Sequence, residues 1–127
     1  MMDEKKIFLK LKKLSKKSYS KYSKFSVSSI LISEKGKEYY GVNVENGSYS
    51  LTICAERSAF FNAITDGQKK FKKIYVYADS NILPIPCGAC LQVMSEFVDD
   101  DFEIVLFSNV ERKKFKFCEL FPKRFKL

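Results

Sequence analysis

The 127-residue chain contains no histidine. That absence excludes a Ser-His-Asp triad, a Cys-His dyad and every histidine-ligated metal site. Acid–base work must then fall to Glu, Asp, Lys, Tyr or Cys, and a bound zinc would need thiolates or carboxylates. Proline and glycine are sparse, at three and five residues, while 46% of the chain is hydrophobic and 30% charged. Disorder, collagen and coiled coil do not fit that balance. No apolar run approaches the roughly 20 residues of a membrane-spanning helix. The Lys-rich N-terminus never becomes an apolar segment ending in a small-residue cleavage site, so no secretory signal is read. The expectation is a soluble, cytoplasmic protein folding as one domain over residues 1–127.

The formal net charge of +8 is unevenly spread. Residues 1–36 carry +7, residues 37–110 carry −4 and residues 111–127 carry +5. Lysine dominates both basic ends, with three arginines in the whole chain. Bidentate phosphate and guanine contacts favour arginine, so solvated lysines account for the charge better than nucleic-acid binding does.

Ile7, Leu11 and Leu14 recur at helical spacing and predict an amphipathic helix over 3–17. Phe25–Ser33 and Glu38–Val44 read as strands joined in a hairpin by Glu34-Lys35-Gly36-Lys37. A polar loop at 46–49 leads to a helix over about 53–65, with Thr52 as its N-cap and Gly67 as its stop. Ile74–Ala78 is a short apolar strand, and a further helix runs from about Cys87 to before Asp99. Strands follow at Glu103–Phe107 and Phe115–Phe117. The order α-β-β-α-β-α-β-β predicts an α/β fold, a three-layer α/β/α sandwich around a mixed five-stranded sheet.

Two segments carry chemistry, Cys54-Ala55-Glu56-Arg57 and Pro86-Cys87-Gly88-Ala89-Cys90. Each sets cysteine at an expected helix start, where the positive end of the helix favours thiolate. Two sulfurs spaced C-x-x-C can meet one ion about 2.3 Å from each, and a third from another helix leaves the fourth tetrahedral position to water. A redox pair also suits C-x-x-C taken alone. Cys118, in an apolar stretch, reads as a core thiol. Glu56 stands about 200° around the helix from Cys54, better placed for a bound water than for the ion itself. Its apolar neighbours favour burial and a raised pKa.

C-A-E-R followed by P-C-G-A-C-L-Q resembles the zinc-dependent cytidine deaminase family in its three-cysteine form. Tyr22-Ser23-Lys24-Phe25 and Gly41-Val42-Asn43-Val44-Glu45-Asn46-Gly47-Ser48-Tyr49 extend the likeness over nearly the whole chain. The resemblance implies one Zn²⁺ per subunit on Cys54, Cys87 and Cys90, with Glu56 as proton shuttle to a zinc-bound hydroxide. It implies hydrolysis of cytidine and 2′-deoxycytidine to uridine and 2′-deoxyuridine with loss of ammonia, in pyrimidine salvage. Phe25 and the Ala55 N–H would meet the base, and Asn43 and Glu45 the ribose. Arg57 would offset thiolate charge, with Gln92 beside it. Gly47, Tyr49 and Phe125 would reach a neighbour's site in a homotetramer with shared active sites.

Three departures stand out: Leu91 where many relatives carry arginine, Ser28-Ser29 in place of Gly-Ala, and Lys21 in place of proline. Rival readings are a blasticidin S deaminase, a nucleic-acid-binding zinc module and a thiol oxidoreductase. The Asn-x-Glu-Asn loop and Arg57 speak against the first, and Glu56 has no role in the last.

Overall fold

The computed structural model describes residues 3–127. Helix α1 (Glu4–Ser15) opens at Asp3, whose carboxylate caps the Lys5 N–H at 3.0 Å. Its apolar stripe, Ile7 and Leu11, is buried against one face of a sheet built from β1 (Val27–Ser33), β2 (Glu38–Val42), β3 (Phe71–Ala78), β4 (Glu103–Phe107) and β5 (Arg112–Lys116). On the other face lie α2 (Ala55–Thr65), α3 (Gly88–Ser95) and the short α4 (Phe117–Leu120), around Phe60, Met94, Leu106 and Phe117. The spatial order is β2-β1-β3-β4-β5. β3 and β4 run parallel, and every other pair is antiparallel. The expected three-layer α/β arrangement with a mixed five-stranded sheet is therefore found.

Central strand β1 is buried at all seven positions. Leu31 faces α2 and α3, while Ile30 and Ile32 face α1. A buried hydroxyl needs a partner, and both departures from Gly-Ala have one. Ser28 donates to the Leu11 carbonyl of α1 at 2.7 Å, and Ser29 to the Ala55 carbonyl of α2 at 2.8 Å. β2 closes on α2 through Gly41, where an added Cβ would stand 2.3 Å from the Ala55 carbonyl oxygen and 2.5 Å from the Ala59 nitrogen. Only glycine allows that approach.

Several boundaries differ from expectation. β3 begins at Phe71 rather than Ile74, because Phe71 pairs with Ser33 past a bulge. β5 lies three residues earlier than Phe115, since Arg112–Phe107 pairing starts the hairpin and Phe117 already opens α4. β2 ends at Val42, where the chain leaves the ladder and Val44 bridges Tyr19 on one side and Ile53 on the other. Those two bridges set the path of the chain into α2.

Candidate active site

Cys54, not Thr52, is the N-cap of α2. The Thr52 hydroxyl is occupied elsewhere, accepting the Asn46 N–H at 3.2 Å. Cys87 caps α3, its sulfur accepting the Cys90 N–H at 3.4 Å. The two helix starts come from segments over thirty residues apart, yet their sulfurs meet. Cys54 Sγ lies 3.8 Å from Cys87 Sγ, and Cys87 Sγ 3.4 Å from Cys90 Sγ. All three fall within 4.8 Å of one another. Three sulfurs at about 2.3 Å from a tetrahedral zinc would be about 3.8 Å apart, so this donor set fits that ion. Cys118 is outside the cluster, half-buried on α4 rather than in the core.

The charges in this cluster are arranged unequally. Hydrogen bonding from Cys90 is the main cause that lowers the Cys54 thiol to about 5, with Arg57 and Cys87 adding to it against burial. Cys90 is pushed the opposite way, by its bond to Cys54, by burial and by the nearby Glu56 carboxyl. Arg57 Nη2 donates to Cys54 Sγ at 3.5 Å, and this contact raises the guanidinium further above its ordinary range. The Arg57 Nε is buried without a partner among the described residues, leaving a spare donor beside the thiolates. Three thiolates, a divalent ion and one guanidinium sum to neutrality.

Glu56, in the first turn of α2, is 5% exposed. Burial raises its pKa to about 7, and the Cys54 charge pushes in the same direction. Ala55 is fully buried, and its N–H is one of the donors that a helix start leaves without an intrahelical acceptor. Leu91 packs into the core beneath α3. Gln92 is half-buried on the same helix, its carbonyl accepting the Ser95 hydroxyl at 2.6 Å.

Asn43 and Glu45 are both buried, and both spend their side chains on residues 18–27. Asn43 Oδ1 accepts the Val27 N–H at 3.0 Å and the Ser18 hydroxyl, while its Nδ2 donates to the Phe25 carbonyl at 2.8 Å. Glu45 Oε1 accepts the Tyr22 and Ser23 N–H groups, each at 3.0 Å, and Oε2 accepts the Ser23 hydroxyl. The Ser23 hydroxyl is the main reason that Glu45 stays below the usual carboxylate range. Phe25 is half-buried against the same core as Cys54 and Ala55.

A hollow of about 360 Å³ opens at the Glu45 end, lined by Tyr22, Ser23, Glu45, Asn46, Tyr49 and Thr52. Gly47 sits over Tyr22, where a Cβ would come 3.1 Å from the phenol oxygen. Tyr49 and Phe125 are 79% and 68% exposed. Ser23 and Ser29 hold the site together through their hydroxyls, roles that the sequence reading did not assign to them. Ser23 stood in the sequence as part of the Tyr22–Phe25 segment and Ser29 as a polar departure within an apolar strand.

A sequence profile described as "Cytidine and deoxycytidylate deaminase zinc-binding region" matches residues 1–106. A cytidine deaminase of Sporosarcina psychrophila is 45% identical over 105 residues, which is 83% of this chain and 77% of that protein. A probable cytidine deaminase of Dictyostelium discoideum is 49% identical over 80 residues, 62% of this chain and 53% of that one. The crystal structure of a cytidine deaminase from Burkholderia pseudomallei superposes with a TM-score of 0.90 at 35% identity, covering 98% of this chain and all of that chain. Because the matched segment holds both cysteine motifs and the buried glutamate between them, the chain belongs to the cytidine and deoxycytidylate deaminase zinc-binding family.

Proposed function

We propose that this chain hydrolyses cytidine and 2′-deoxycytidine to the corresponding uridines and ammonia, a reaction of pyrimidine salvage. The observation that carries the reading is the convergence of three sulfurs from two helix starts beside a buried carboxyl group. Cys54, Cys87 and Cys90 would hold zinc, one ion per subunit. When bound, that ion supplies a Lewis acid able to bring the pKa of a water to about 7.

Glu56 moves the protons. Its carboxylate takes one from the attacking water and delivers it to N3 of the base, so that C4 accepts the water oxygen. It then passes the second proton to the amine nitrogen as the C4–N bond breaks. Burial equips Glu56 for this double task, because a carboxyl poised near neutrality both accepts and donates readily. The Ala55 N–H meets the base carbonyl, and Phe25 packs on the base. Asn43, Glu45 and the hollow beside them take the ribose. Arg57, with Gln92 on the adjoining helix, tempers the thiolates so that the ion keeps its electrophilicity.

No helix among the described residues is long and apolar enough to cross a membrane. We read the chain as one domain over 1–127, cytoplasmic, and assembled as a homotetramer. The exposed Tyr49 and Phe125, with the Gly47 loop, support active sites shared between subunits. Ammonia release is measured from cytidine, deoxycytidine, free cytosine, blasticidin S and a single-stranded oligonucleotide. The two nucleosides should be turned over and the other three should not. Glu56→Ala should keep its zinc and lose roughly 10²–10⁴-fold in rate. A Glu56→Ala enzyme with zinc and wild-type turnover would overturn the shuttle.

A further inference from the structure

Lys24 has a φ of +59°, alone among the described non-glycine residues in the left-handed region. The local bonds explain how it is held there. The Lys24 N–H donates to the Ser20 carbonyl at 2.9 Å, closing a single helical turn whose last residue must reverse the chain. Glu45 grips the two residues before it and Asn43 the residue after it, through the Tyr22, Ser23 and Phe25 backbones. The Ser23 hydroxyl accepts the Phe25 N–H at 3.0 Å, which fixes the far side of the turn. Lysine has no preference for this conformation, and Gly or Asn would adopt it more readily. Strain kept in place by this many bonds, one residue from a substrate contact, marks a positioning device.

We propose that Lys24 acts through its left-handed backbone, and not through its exposed ammonium group, as the positioning residue that directs Phe25 onto the base. The proposal rests on the deaminase reading and on the role of Phe25 in it. A right-handed or extended residue 24 would send Phe25 off along another direction, since Lys24 joins the turn at 21–23 to the segment that enters β1 at Val27.

The test uses the full zinc-loaded chain as wild type, Lys24→Gly, Lys24→Asn and Lys24→Val. Melting temperature, zinc content, and KM and kcat for cytidine are read for each. Lys24→Gly should melt about 3 °C higher than wild type. Gly and Asn variants should keep KM within about twofold, because both accept this backbone. Lys24→Val, whose branched side chain rejects positive φ, should raise KM about tenfold with kcat and zinc content unchanged. A Gly variant that loses KM as Val does would assign the work to the lysine charge and overturn the proposal, as would a Val variant with wild-type KM. If Lys24→Val fails to fold, Lys24→Ala takes its place as a residue that disfavours positive φ and should raise KM in the same direction, while loss of KM in Lys24→Gly still overturns the proposal. An inactive wild type instead overturns the deaminase reading, and the proposal with it.

Discussion

The Ser29 hydroxyl on the central strand donates to the Ala55 carbonyl at 2.8 Å, tying the sheet directly to the residue between Cys54 and Glu56. Ser29 is fully buried, so no water can take over the bond. Ser29→Ala should cost about 1 kcal/mol and lower the melting temperature by roughly 3–5 °C. Because the first turn of α2 carries Glu56, the proposed proton shuttle, kcat for cytidine should fall as well. A variant with lower Tm but unchanged kcat would mean that the bond serves stability alone.

Glu56 ties stability to pH in the metal-free protein. Burial raises its folded pKa to about 7, well above the unfolded carboxylate. The stabilising contribution is thus complete at pH below about 4 and is lost as pH rises through about 7. The loss is on the order of 3 kcal/mol. Glu56→Gln removes the titration, so at pH 8 the metal-free variant should melt roughly 10 °C above wild type. At pH 5 the difference should largely close. An equal difference at both pH values would show that ionisation is not its source.

Arg57 bears on how tightly the sulfurs hold the ion. Lysine at this position would keep the charge and lose the planar fork that meets Cys54. Both Arg57→Lys and Arg57→Ala should weaken zinc binding by about 10–100-fold, as measured by competition with a chromophoric chelator. Undiminished affinity in Arg57→Ala would remove the guanidinium from the account.

The three-sulfur site makes a contrasting pair of variants informative. Cys118→Ser should retain stoichiometric zinc and wild-type turnover, because Cys118 lies outside the cluster. Cys87→Ser should lose both. Zinc loss from Cys118→Ser would require a closed four-sulfur site.

Much of this could be read from the residue pattern. Apolar periodicity located α1 and the buried strands, since each has a face that must be covered. The C-x-x-C spacing singled out Cys87 and Cys90 as candidate ligands, because C-x-x-C at a helix start is local geometry; Cys54, 33 residues earlier, entered with them through the family resemblance. Strand ends were less legible. Phe71 joins β3 only through its pairing with Ser33, a partner nearly forty residues away. The N-cap of α2 went to Cys54 and not Thr52 because Thr52 is engaged by the Asn46 backbone. Ser29 and Ser23 act across long sequence separations, and nothing in their neighbours announces it. Lys24 is less legible still, as lysine carries no turn signal and its backbone is set by Asn43 and Glu45 from the segment that follows β2.

The donor sulfurs stand on two helices that touch the same side of the sheet but share no stretch of chain. Neither motif on its own can grip a metal ion with three thiolates. Full coordination therefore requires α2 and α3 to be seated together. Once seated, an ion held there favours the native state by mass action, since the open chain offers no comparable grip. The same ion that would activate water would also rivet α2 to α3.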